Sequence, residues 1–194
     1  DYADALNNMG VAQNSQGDSE AAIQSYKSAI KIKPDYAEAH NNMGKALNSK
    51  GDQVEAIKSY AQAIKANPAY VDAHNNMGNT LQDKGDLEGA INCYNKALSI
   101  QPDYSAAHFN MGIALNGKND PVAAINSYKQ ALKIQPDHAD AHNNMGVAQN
   151  SQGDSEAAIQ SYKSAIKIQP DYADAYFNMG IALQDGGHLN AALD

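Results

Sequence analysis

DYAEAHNNMGKALNSKGDQVEAIKSYAQAIKANP, residues 35–68, sets out the fold in one stretch. Two apolar rhythms run through it. From about Ala37 to Ser49 the bulky stripe is His40, Met43, Gly44 and Leu47, spaced i, i+3, i+4, i+7, which predicts an amphipathic helix. From about Asp52 to Ala66, Ala56, Ile57, Tyr60, Ala63 and Ile64 form a wider stripe, as expected of a helix packed on more than one neighbour. Gly51 lies between them and suits a left-handed stop residue. Pro68 ends the second helix. The unit is therefore a helical hairpin.

Outward from this stretch the hairpin repeats. Proline returns at Pro34, Pro68, Pro102, Pro136 and Pro170, always 34 residues apart. Met-Gly pairs keep the same period, from Met9-Gly10 to Met179-Gly180. The expected organisation is a single array with repeats at 1–34, 35–68, 69–102, 103–136 and 137–170 and a partial repeat at 171–194. In the fourth repeat Asn119 takes the place of Gly51, and Pro121 falls in the first turn of its helix, where a missing N–H costs little. Asp35, Asp103, Asp137 and Asp171 follow their prolines and are expected to start the next helix. No hairpin can bury its apolar faces alone, so the units must stack. The fold class expected is all-α, a right-handed α-solenoid of helix-turn-helix hairpins.

This layout resembles the tetratricopeptide repeat family, carried in residues 37–68 by His40, Met43, Gly44, Leu47, Ala56, Tyr60, Ala63 and Pro68. The resemblance covers essentially the whole chain. It departs at the family's favoured Trp, here His40, His74, His108, His142, Leu6 or Tyr176. It departs again at Gln13 and Gln149, which stand where the family usually has Tyr, and both changes are expected to weaken core packing.

Composition narrows the function. The chain has 194 residues, is 43% hydrophobic and 19% charged, and carries a formal net charge of -8. That is a folded chain rather than a disordered one. Its basic side chains are all lysines. Without arginine, and with an acidic balance, nucleic-acid binding is not expected. No run of about 18 apolar residues is present, so no membrane span is expected. A lone Cys93 makes no internal disulfide and leaves the compartment open, with a cytoplasmic setting the default expectation.

By the resemblance, the polar face of each first helix lines a concave groove. In residues 35–68 that face reads Glu38, Asn41, Asn42, Lys45, Asn48 and Ser49. Its most regular member lies two residues before the Gly: Asn8, Asn42, Asn76, Asn110, Asn144 and Asn178. A similar asparagine column occurs in the superhelical tetratricopeptide domain of O-linked N-acetylglucosamine transferase, where it is understood to hold extended protein segments. Geometry agrees. Packed helices stand roughly 8–10 Å apart and an extended peptide advances about 3.3 Å per residue, so the column would meet a peptide about every third residue. Each amide both donates and accepts, so it can pair with a peptide backbone whatever its side chains. The same asparagines can instead bridge neighbouring helices, or be copies of a duplicated unit. Asp4, Glu38, Asp72, Asp140 and Asp174 share the face, and Phe109 and Phe177 replace an Asn there as candidate apolar anchors. The partner expected is a protein or extended peptide, neutral or basic.

Other chemistries fit poorly. Co-chaperone members of the family grip a C-terminal carboxylate with Lys and Arg, but the matching positions here are Asn7, Asp72 and Asn76. The histidines recur once per repeat, about 10 Å apart in stacked helices, whereas zinc needs ligands about 2 Å away. They read as core-edge aromatics, and Cys93 as a small half-buried residue. No nucleophile–base pair or phosphate-cradling loop stands out, so neither catalysis nor a cofactor or metal is expected. Residues 1–34 and 137–170 differ only at Tyr2/His138, Leu6/His142 and Lys33/Gln169. With no initiator Met and an end at Asp194 inside a helix, the chain reads as a piece of a longer protein. Two further readings stay open: the substrate-selecting region of a larger glycosyltransferase, and a scaffold that self-associates end to end.

Overall fold

A computed structural model describes residues 2–186. The expected helix end around Leu193 and Asp194 lies outside the described residues. Two units, residues 1–102 and 103–194, are each internally packed. In the first, helices α1 (Tyr2–Ser15), α2 (Ser19–Ile32), α3 (Ala37–Ser49), α4 (Gln53–Ala66), α5 (Val71–Asp83) and α6 (Leu87–Ile100) form three hairpins. In the second, α7 (Ser105–Gly117), α8 (Pro121–Ile134), α9 (Ala139–Ser151), α10 (Ser155–Ile168) and α11 (Ala173–Asp185) form two hairpins and the first helix of another. No strand occurs among the described residues. Within each unit a first helix packs on its own second helix, and the second helix packs on the next first helix. This is the α-solenoid arrangement of stacked hairpins.

The turns follow from backbone chemistry. Gly51 sits at φ +84° between α3 and α4, and Asn119 takes the same left-handed conformation at φ +61°. The next residue caps each second helix: the Asp52 carboxylate accepts from the Glu55 N–H at 3.3 Å, and that of Asp154 from the Ala157 N–H at 3.1 Å. First helices begin differently from expectation. Asp35, Asp103 and Asp171 lie in the preceding turn, and the caps are Tyr36, Tyr104 and Tyr172, whose side chains make no capping bond. After Asp137 the cap is His138, whose Nδ1 accepts from the Ala141 N–H at 3.4 Å.

The core is built of small residues and one tyrosine per repeat. Ala39, Ala46, Ala56 and Ala63 are fully buried, as are the counterparts of Ala56 and Ala63 in other repeats, whereas in the first repeat Ala5 and Ala12, the counterparts of Ala39 and Ala46, are exposed. A first helix meets its partner through the glycine of the Met-Gly pair. The rings of Tyr26, Tyr60, Tyr94, Tyr128 and Tyr162 lie over Gly10, Gly44, Gly78, Gly112 and Gly146, where any Cβ would stand 2.5 to 2.6 Å from ring carbon Cε1. The glycine is thus required by contact. Histidines finish the core edge: Nε2 of His40, His74 and His142 bonds the carbonyl of Pro34, Pro68 and Pro136 at 2.9 to 3.0 Å. Where the core has glutamine, it is satisfied. Ser25 donates to Gln13 Oε1, and Ser161 to Gln149 Oε1, both at 2.6 Å.

Candidate functional site

The asparagine column bridges repeats. Asn42 Nδ2 donates to Asn7 Oδ1 at 3.1 Å, and Asn76 Nδ2 to Asn41 Oδ1 at 3.1 Å. In the second unit Asn178 Nδ2 donates to Asn143 Oδ1 at 3.0 Å. The acceptors are the asparagines immediately before the column in the preceding repeat, and they are buried: Asn7 at 0%, Asn41 at 4% and Asn143 at 5% exposed. Asn41 was expected on the polar face; burial against the next hairpin takes it out of water, and a carboxamide partner makes that tolerable. The donors themselves are half-buried. Asn8 is exposed, and Asn110 is half-buried. Before Asn144 the acceptor position is Phe109, and the bond Asn144 makes is through Oδ1, which accepts from Asn143 Nδ2 at 3.4 Å.

The acidic residues join the same junctions. Glu38 Oε1 accepts from Asn7 Nδ2 at 3.2 Å. Tyr172, at the cap of α11, donates to Asp140 Oδ1 at 2.6 Å. Burial first and then this bond push the Tyr172 phenol well up from its usual value. Tyr36 is pushed up to about 12, again by burial first and then by its bond to Asp4. These phenols therefore remain donors throughout the neutral range. Asp72 and Asp174 lie in the first turns of α5 and α11.

The two phenylalanines differ. Phe109 is packed inside the second unit, 4.5 Å between ring centroids from His138 and 6.1 Å from Tyr128. Phe177 is 70% exposed. Cys93 is half-buried, and burial pushes its thiol up to about 11, away from the reactive range.

Between successive first helices lies a small open cavity, found in three equivalent places. One of about 220 Å³ is lined by Val11, Asn14, Ser15, Tyr26, Asn42 and Lys45. A second, about 180 Å³, is lined by Lys45, Asn48, Ser49, Tyr60, Asn76 and Asn79. The third, about 270 Å³ in the second unit, is lined by Val147, Asn150, Ser151, Tyr162, Asn178 and Ile181. Each contains one column asparagine, and the core tyrosine reaches its wall. Sequence reading missed these cavities. Their signal was present as the one offset, three residues after the column, where Val, Lys, Asn and Ile alternate.

With this geometry in view, the relatives are informative. A family model described as TPR repeat matches residues 12–51, 44–85, 78–119, 118–153 and 149–187. The chain belongs to the tetratricopeptide repeat family. No curated protein sequence matches this tetratricopeptide chain significantly. Solved structures do resemble it. PilF of Pseudomonas aeruginosa aligns with TM-score 0.87 at 18% identity, over 98% of this chain and 87% of that one. MamA of Desulfovibrio magneticus RS-1 gives 0.79 at 19%, over 89% and 98%. YrrB, described as a TPR protein with an unusual peptide-binding site, gives 0.74 at 24%, over 89% of each. At these identities the likeness is one of fold. Among the described residues no helix is long and apolar enough to cross a membrane, and no group of His, Cys, Asp and Glu is placed to hold a metal.

Proposed function

We propose that the first-helix face of this tetratricopeptide array holds extended polypeptide segments, with Asn8, Asn42, Asn76, Asn110, Asn144 and Asn178 contacting the segment's backbone. The observation that carries this is the double placement of Asn42, Asn76 and Asn178. Each is fixed by one N–H to a buried neighbour and also lines an open cavity. An amide has two N–H groups and a carbonyl, so the bridge leaves capacity for a ligand. It also pre-sets the side chain, which lowers the entropy lost on binding. Bridging and ligand contact thus coexist in one residue. YrrB, of the same fold, is described as having a peptide-binding site.

Magnitudes set the limits of the contact. One hydrogen bond contributes about 0.5–1.5 kcal/mol net, while ordering a peptide residue costs about 1–2 kcal/mol. The column alone binds weakly, and its neighbours supply selectivity. Asp4, Glu38, Asp72, Asp140 and Asp174 favour neutral or basic segments, and Phe177 offers an apolar anchor.

The test is a peptide-array screen of the full chain beside Asn42→Ala/Asn76→Ala/Asn178→Ala. Binding of varied extended peptides, lost in a variant that stays helical, supports the reading. Unchanged binding in the variant overturns the role of the column. If the wild type binds nothing and its light scattering grows with concentration, an end-to-end scaffold is the better account.

A further inference from the structure

The three cavities share a framework and differ at one pair of positions. In every copy an asparagine and a serine from one first helix, the core tyrosine and a column asparagine recur: Asn14, Ser15, Tyr26 and Asn42 in the first, Asn150, Ser151, Tyr162 and Asn178 in the third. What changes is the residue three after each column asparagine. It contributes Val11 with Lys45, then Lys45 with Asn79, and in the second unit Val147 with Ile181. Resting on the peptide-holding reading above, we propose that this position selects the side chain each cavity accepts. The Val147–Ile181 cavity takes an aliphatic side chain from an extended segment whose flanking residues are basic. The Lys45 cavities do not take it.

Three observations carry this. The first is size. About 270 Å³ falls below the roughly 300–1,000 Å³ of small-molecule sites yet holds several waters' volume, which suits one side chain of a longer ligand. The second is polarity. Asn150, on the cavity wall, has both ends of its amide engaged: Nδ2 donates to Asp185 Oδ2 at 2.8 Å, and Oδ1 accepts from Ser155 at 2.9 Å. The Asn150 amide therefore asks no polar group of the guest side chain, which leaves Asn178 to the segment's backbone, while Val147 and Ile181 flank the cavity with apolar surface. Ile181 is 40% exposed, although Val147 beside it packs on the core cluster of Ala158, Ile159 and Tyr162. A buried guest methyl group would remove that Ile181 surface from water.

The third is charge. α7, α9 and α11 carry no lysine, and their acids are Asp140, Asp174 and Asp185. Asp185 is exposed and tied directly to the cavity wall through Asn150. The first-helix face of this unit is thus aliphatic and anionic, complementary to a segment that alternates aliphatic and basic residues. In the first unit Lys45 borders both cavities and is the one basic residue among α1, α3 and α5. Burying an aliphatic group there would crowd an ammonium that needs water.

The fold tolerates exchange at this position, because Lys45 and Val147 occupy it in equivalent regular helices. The experiment titrates the full chain with two labelled peptides by fluorescence anisotropy. Both have lysines flanking one central residue, Leu in one and Glu in the other. Expected is about tenfold or more tighter binding of the Leu peptide. Val147→Lys/Ile181→Asn, which copies the Lys45–Asn79 pair, should erase the preference while the chain stays helical by circular dichroism, at some cost in thermal stability from the lost Val147 packing. Ile181→Lys alone, at an exposed site, should weaken the Leu peptide in the same direction. Equal binding of the two peptides, or a preference that survives both variants, overturns the selectivity and leaves peptide holding intact. No binding of either peptide overturns both.

Discussion

Asn178 donates its amide to Oδ1 of Asn143, 3.0 Å away across a repeat boundary, and Asn143 is 5% exposed. Two changes separate its structural from its binding role. Asn143→Ala removes the acceptor and keeps the column residue. It should lower stability by about 1–2 kcal/mol, the value of a bridging bond with some packing, and weaken peptide affinity only by the lost pre-setting of Asn178, less than removal of Asn178 itself. Asn178→Ala leaves a buried carbonyl unpaired, costs about 1–3 kcal/mol, and should weaken peptide binding as well. Urea unfolding and peptide titration of the two variants give both readouts. Equal affinity losses would mean the column acts only by bracing the repeats.

The glycine of the Met-Gly pair gives an internal control. A Cβ on Gly78 would stand 2.5 Å from Tyr94 Cε1, whereas at Gly180 nothing among the described residues lies within 4 Å. Gly78→Ala should therefore destabilise by about 1–3 kcal/mol through overpacking. Gly180→Ala should be neutral or stabilising by up to about 1 kcal/mol, because alanine is the better helix former. Thermal unfolding followed by circular dichroism compares them. A loss of similar size at both positions would place the cost in backbone conformation rather than in the ring contact.

Why the sequence was readable at some places and not others follows from where partners lie. The bounds of α3, the left-handed Gly51 and Asn119, and the core tyrosines depend on neighbours within one hairpin, so period and turn chemistry expose them. Asn41 reads as a surface residue because its burial is made by Asn76, 35 residues on. Gln13 reads as a packing defect because its partner Ser25 lies on the other helix of the hairpin. Asp35 reads as a helix start because an Asp after Pro commonly caps, yet Tyr36 holds the cap and turns its hydroxyl to Asp4 of the preceding repeat. In each case a contact outside the local pattern decides.

One such contact is incomplete and can be supplied. Ser19 Oγ donates to Asn14 Oδ1 at 3.0 Å and Ser155 Oγ to Asn150 Oδ1 at 2.9 Å. In the second repeat the serine position is Gln53, and Asn48 Oδ1 is buried with no hydrogen-bond partner. Gln53→Ser should add the missing bond and raise stability by about 0.5–1.5 kcal/mol. The same change combined with Asn48→Ala should lose that gain, a double-mutant cycle in urea being the check. A gain that persists in the double variant would come from helix initiation instead.

Alkali should unfold the array through its core tyrosines. Burial pushes Tyr60 and Tyr162 up to about 12 and raises Tyr26, Tyr94 and Tyr128 as well. In the unfolded chain each phenol ionises near its ordinary value of about 10. Above that pH the folded state binds more protons than the unfolded one, so stability falls as pH rises. The stabilisation is complete below about pH 10 and is lost as pH climbs towards the folded values, at ~1.4 kcal/mol per pH unit for each tyrosine involved. Urea midpoints at about pH 9 and pH 11 should therefore differ steeply, and the phenolate absorbance should rise together with helix loss. A phenolate signal that appears while the helices persist would show that the rings ionise in place, and that the glycine–tyrosine contact admits water.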